Sequence, residues 1–78
     1  MSHDVATEGR EKLVRMANQI ADFFDSAEPD KAATGVAKHI NDFWEPRMRR
    51  HFFEIVEDGG AGLKPSVMAA VPLIRRPG

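Results

Sequence analysis

Met16-Ala17-Asn18-Gln19-Ile20-Ala21-Asp22-Phe23-Phe24 returns twenty residues later as Val36-Ala37-Lys38-His39-Ile40-Asn41-Asp42-Phe43-Trp44. Both copies read apolar-Ala-x-x-Ile-x-Asp-Phe-aromatic. Apolar residues spaced at i, i+3, i+4 and i+7 line one face of a helix. The repeat therefore predicts two related amphipathic helices, each ending on a pair of aromatics, and no strand pattern competes with them.

Working outward, Leu13, Met16, Ala17, Ile20, Phe23 and Phe24 form the stripe of a first helix over about residues 10–25. Ser26 to Asp30 interrupts it. Pro29 cannot continue a helix without losing a hydrogen bond, and Asp30 is a suitable N-cap for the next one. A second helix over about 31–44 carries Ala33, Val36, Ala37, Ile40, Phe43 and Trp44. Gly35 lies inside it at a cost of about 1 kcal/mol against alanine, which favours a close-packing role for that position. Pro46 disfavours helix at Glu45 but suits a first helical turn, so a third helix is expected over 46–57, with almost no loop before it. Asp58-Gly59-Gly60-Ala61-Gly62 should end it, since glycine accepts the positive φ of a helix C-cap. A fourth helix is expected from Pro65 to about Ile74, with Pro72 kinking its last turn. The fold class is all-α, a small bundle of three to four helices. Residues 1–9 read as a flexible N-terminal tail, 10–74 as one helical domain and 75–78 as a flexible tail.

Composition limits the chemistry. The chain of 78 residues has no cysteine, which removes disulfides and any thiolate-held zinc or iron–sulfur site. Its three histidines, His3, His39 and His51, share no metal-binding spacing. The net charge of -1 gives no case for nucleic acid, although residues 1–45 sum to -4 and residues 46–78 to +3. That asymmetry either orients docking or is chance in a short chain. No apolar run reaches the ~18 residues of a membrane span, and the N-terminus carries no signal-peptide pattern, so a soluble cytoplasmic protein is expected.

Candidate sites are few. The glycine stretch matches neither a Walker loop nor a dinucleotide loop. It reads as a structural turn, with a partner-contacting loop as the alternative. Asp22 and Asp42 could in principle do acid–base work, but a solvated or capping role is favoured. The basic run Arg47, Arg49, Arg50 is either a solvated helix face or a docking face; nucleic-acid binding is the weakest of its readings. Six aromatics arrive as adjacent doublets, Phe23-Phe24, Phe43-Trp44 and Phe52-Phe53. One stripe cannot bury both members of each pair completely, which leaves aromatic surface to be packed by a fourth helix or buried on a partner.

Three blocks carry a resemblance. Leu13 to Phe24, then Val36-Ala37-x-His39-Ile40-x-x-Phe43-Trp44-x-Pro46-Arg47-Met48-Arg49, then Asp58-Gly59-Gly60-Ala61-Gly62-Leu63-x-Pro65, resemble the formate dehydrogenase delta subunit family over about residues 13–74. The resemblance implies a noncatalytic accessory subunit of a soluble molybdenum- or tungsten-containing, NAD-dependent enzyme that oxidises formate to carbon dioxide. It implies a large alpha subunit as partner, with beta and gamma subunits in the complex. The complex would carry molybdopterin guanine dinucleotide, iron–sulfur clusters, FMN and NAD, and this chain none of them. A transient cofactor-insertion factor for the large subunit is the alternative. No catalytic, metal or cofactor residue is expected here, and no membrane or nucleic-acid partner. The expected docking face comprises Phe24, Trp44, Arg47, Arg49, Arg50, Gly59, Gly60, Gly62 and Leu63.

Overall fold

The computed structural model describes the backbone of residues 5–77 and the side chains of residues 9–77. Four helices follow one another: α1 (Val5–Ala27), α2 (Ala32–Phe43), α3 (Pro46–Glu57) and α4 (Pro65–Ala70). Single 3-10 turns at Pro29–Lys31 and Val71–Leu73 precede α2 and follow α4. No strand occurs among the described residues, so the all-α bundle expected from the periodicity is the fold. None of the described helices is long and apolar enough to cross a membrane.

Helix α1 is longer than its apolar stripe. Its 23 residues span about 35 Å at 1.5 Å per residue, close to the 42 Å long axis of the molecule. It begins inside the segment expected as an N-terminal tail; residues 1–4 lie outside the described ones. Pro29 does break the chain, but Asp30 does not cap α2. Pro29, with its φ preset, opens a 3-10 turn in which Lys31 N–H donates to the Glu28 carbonyl at 2.9 Å, and Lys31 takes the N-cap position without a side-chain bond. Helices α3 and α4 each start on a proline, after Glu45 and Lys64 in extended backbone (ψ 157° at both). Only Trp44 and Glu45 separate α2 from α3. The fourth helix is shorter than expected, because Pro72 tightens its end into the second 3-10 turn.

The core runs through small residues as much as large ones. Ala17 and Ala21 of α1 are fully buried with Leu13, and they join Val36, Ala37 and Ile40 of α2, Trp44, Phe52, Phe53 and Ile55 of α3, and Val67, Ala70 and Ile74. Alanines at the centre of a stripe let helix axes come close, and larger neighbours close the edges. Gly35 serves the same end. A Cβ there would stand 2.4 Å from Cδ1 of the Phe24 ring, so the absence of a side chain is what seats Phe24 against α2.

The glycine stretch is a helix cap pinned to α1. Gly59 N–H donates to the Val56 carbonyl at 3.0 Å and Gly60 N–H to that of Ile55 at 2.9 Å, the paired bonds of a Schellman ending. Gly60, at φ 66°, is buried, and a Cβ would meet Met68 Sδ at 2.9 Å. Asn18 then grips the loop from both sides. Its Nδ2 donates to the Gly62 carbonyl (2.8 Å) and its Oδ1 accepts from Lys64 N–H (2.9 Å). Arg10 to Asp58 (2.8 Å) and Lys64 to Asp22 (3.0 Å) add exposed ion pairs along the same seam. Residues 75 and 76, expected as part of a flexible tail, are also tied down. Arg75 N–H donates to Asn41 Oδ1 (2.8 Å), Arg49 donates to the Arg75 carbonyl (2.7 Å), and the Arg76 guanidinium lies 4.2 Å from the Phe53 ring centroid.

Two stability predictions follow from these contacts. Asn18→Ala removes both loop bonds and should lower unfolding free energy by about 1–3 kcal/mol at unchanged urea m-value. Gly35→Ala should destabilise despite alanine's better helix propensity. In a Phe24→Ala background the same change should instead stabilise by about 1 kcal/mol, and a double-mutant cycle on urea midpoints reads that sign reversal.

Candidate functional site

The repeat is matched in placement at several of its positions. Ala17 and Ala37 are both in the core, Asp22 and Asp42 are both exposed, and Phe24 and Trp44 both turn inward. The first member of each aromatic pair is left outside: Phe23 is 64% exposed and Phe43 71%. These two and Leu73 are the most exposed large apolar side chains among the described residues.

Phe43 stands at one end of an open groove of about 440 Å³ along the outer side of α2. Phe24, Gly35 and His39 continue its apolar wall, and the His39 ring rests on Phe43 with centroids 4.8 Å apart. Charges on the rim are of both signs: Glu28, Lys31, Lys38 and Asp42. Lys38 and Asp42 neutralise each other at 2.8 Å, one turn apart on α2. The groove is thus apolar in its walls and near neutral at its rim. Such a surface is suited to an apolar side chain of a partner rather than to a polar reactant.

The expected docking residues do not share one face. Trp44 is only 6% exposed, and its ring packs edge-on against Phe52 at 5.9 Å. It belongs to the core because it follows Ile40 by four residues and so continues the buried stripe of α2. Gly60 is buried under Met68, and Leu63 packs on the core; Gly59 and Gly62 are exposed. The three arginines have different surroundings. Arg47 faces a groove with Lys12 and Met48, and Arg50 lies beside Phe53, Glu54 and Glu57. Arg49 is held by the carbonyls of Trp44 and Arg75. Phe24 alone of the expected aromatics reaches the α2 groove. The sequence reading leaves Phe43, His39 and Lys38 out of the expected docking face, although it counts Phe43 among the aromatics that could meet a partner and reads His39 as an exposed or interface residue. The signal for Phe43 was present: Ala17, Ala21 and Phe24 follow spacings of four and three, so the stripe centre runs through the alanines and leaves Phe23 and its repeat equivalent off-axis.

Neither repeated aspartate sits in a closed cleft. Asp22 pairs with Lys64 and Asp42 with Lys38, both at the surface. The hydrogen bond from Lys38 holds the Asp42 carboxyl below its ordinary range, and the bond to Asp22 holds the Lys64 ammonium above its own. Among the described residues, no group of three or more His, Cys, Asp or Glu side chains could hold a metal ion. With its folded pKa depressed, Asp42 contributes to stability above its unfolded pKa, and the contribution fades as pH falls through the folded value. Lys38→Met should therefore move the Asp42 carboxyl midpoint upward in an NMR titration; an unmoved midpoint would refute the pairing.

No curated protein and no solved structure matches this chain significantly. A family model does match: that of the NADH-dependant formate dehydrogenase delta subunit FdsD, over residues 12–71. The match runs from the start of the α1 stripe through α2, α3 and the glycine cap to the end of α4. It takes in the whole α2 groove and both copies of the repeat. By this coverage the chain belongs to the delta-subunit family of NADH-dependent formate dehydrogenases.

Proposed function

We propose that this chain is a noncatalytic accessory subunit that assembles or stabilises a formate dehydrogenase complex by docking on its large catalytic subunit. The observation that carries the reading is the outward placement of Phe43 beside Phe24 and His39, on a helix face that the described residues leave uncovered. An exposed aromatic in an apolar groove is a typical anchor of a protein interface. The family assignment supplies the complex in which such an interface would operate. In this reading the beta and gamma subunits complete the assembly. The pterin, iron–sulfur, FMN and NAD chemistry belongs to the partner subunits, since this chain has no cysteine for a cluster.

The docking face is centred on the α2 groove; Arg47 and Arg50, the two arginines of the basic run that remain exposed, line other grooves and stand apart from it. Gly59 and Gly62 lie at the opposite end of α3 from these arginines and serve the face only through an extended contact. Trp44, Arg49, Gly60 and Leu63 support the face from within.

The test separates anchor from core. Phe43→Ser removes a largely exposed ring and should change folding stability by less than about 1 kcal/mol. It should nonetheless weaken retention of the chain on the co-expressed complex about tenfold or more. Trp44→Ala empties a core position at a cost of about 3–5 kcal/mol, and should lose retention and cooperative unfolding together. Full retention of Phe43→Ser would remove the α2 groove from the interface. A purified, active, cofactor-loaded complex that lacks the chain altogether would replace the subunit reading with a transient maturation factor.

A further inference from the structure

A second groove, between α1 and the start of α3, differs in chemistry from the one on α2. Leu13, Met16 and Met48 form its apolar floor, and Lys12, Arg47 and His51 stand around it. Its volume is about 460 Å³. The His51 ring closes over Gly9, where a Cβ would come within 3.3 Å of its Cε1. Among the described residues, every ionisable group lining this groove is basic. That is unlike the α2 groove, where acids and bases alternate and partly cancel.

Only part of the molecule's positive charge is paired. Arg10, Lys38, Lys64 and Arg76 each have a carboxylate within 3.3 Å. Lys12 and Arg47 have none within 4.0 Å among the described residues, and Arg15, Lys31 and Arg50 also lie outside any ion pair there. What sets Lys12 and Arg47 apart is that they converge on one groove beside methionines, with no acid in its described lining, so the groove is complementary to an anionic, partly apolar partner. Thioether side chains adapt to irregular apolar partners, and a partner anion supplies the missing charge while steering the encounter. A nucleic-acid strand is a poorer occupant, because it needs a continuous basic track. Here the track ends at once: Arg49 is spent on the Arg75 carbonyl, and Arg50 faces Glu54 and Glu57.

We propose that this groove takes an acidic segment of the formate dehydrogenase subunit on which the chain docks, with carboxylates on Lys12 and Arg47 and an apolar side chain on Met16 and Met48. The proposal rests on the accessory-subunit reading and adds to it a second, electrostatic contact, distinct from the apolar anchor at Phe43.

The experiment measures retention of the full-length chain on co-expressed formate dehydrogenase subunits across a salt series. The variants are Lys12→Gln/Arg47→Gln, both at exposed positions, and Phe43→Ser. At about 50 mM salt the double variant should bind about tenfold more weakly than wild type, and the gap should close near 0.5 M as screening removes the contribution. The Phe43→Ser deficit should persist across the series. A photoreactive methionine analogue at position 48 should cross-link to a peptide rich in Asp and Glu. Equal retention of the double variant and wild type at low salt overturns the proposal while leaving the subunit reading intact. So does a salt-independent gap, a cross-linked peptide without acids, or cross-linking to RNA. Wild-type chain that is not retained at any salt overturns the subunit reading itself.

Discussion

Neighbouring residues on a helix point about 100° apart, and this angle governs how the aromatic rings of a thin bundle are distributed. A domain of 78 residues has little interior, and its helices bury one stripe each. An adjacent aromatic pair therefore cannot be buried whole unless something covers its second member. The protein meets this condition in two ways. Phe52 and Phe53 are both buried because the Arg76 guanidinium and its neighbours lie over the second ring. Phe23 and Phe43 have no such cover and remain at the surface.

The consequence reaches the α2 groove through packing. With Ala17, Ala21 and Ala37 at the centre of the seam, α1 and α2 come close enough for Phe24 to lie on Gly35. The Phe24 ring then becomes the wall of a groove whose far end is Phe43. A glycine that would weaken an isolated helix is here the floor on which an aromatic rests. The apolar groove and the basic groove are set on different sides of the bundle, one on α2 and one between α1 and α3. A partner that engages both must wrap part of the molecule, which suits a small chain held within a larger assembly.

Much of this architecture was legible in the residues. Pro46 and Pro65 marked two helix starts, and the glycine stretch marked a C-cap, because proline and glycine restrict the backbone locally and act wherever they stand. Gly35 also signalled a close approach, though not which ring made it. The structure places other positions differently, each for its own reason. Trp44 and Phe43 differ by one residue, and a periodicity argument that weighs large side chains over alanines places the stripe half a residue off. Asp30 looked like a cap, yet the 3-10 turn begun by Pro29 moved the helix start beyond it. Arg75 and Arg76 looked like a tail, since contacts with Asn41 and Phe53 join residues distant in sequence.

The sequence by itself determined the helices, their order and the turns between them, which rest on local backbone preferences and repeated spacing. Tertiary structure alone decided which ring of each pair faces out and which arginines stay free. It also decided that two grooves of opposite character exist. Those outcomes depend on what α1, α2, α3 and the C-terminal segment cover in one another, and coverage is a property of the packed molecule rather than of any stretch of its chain.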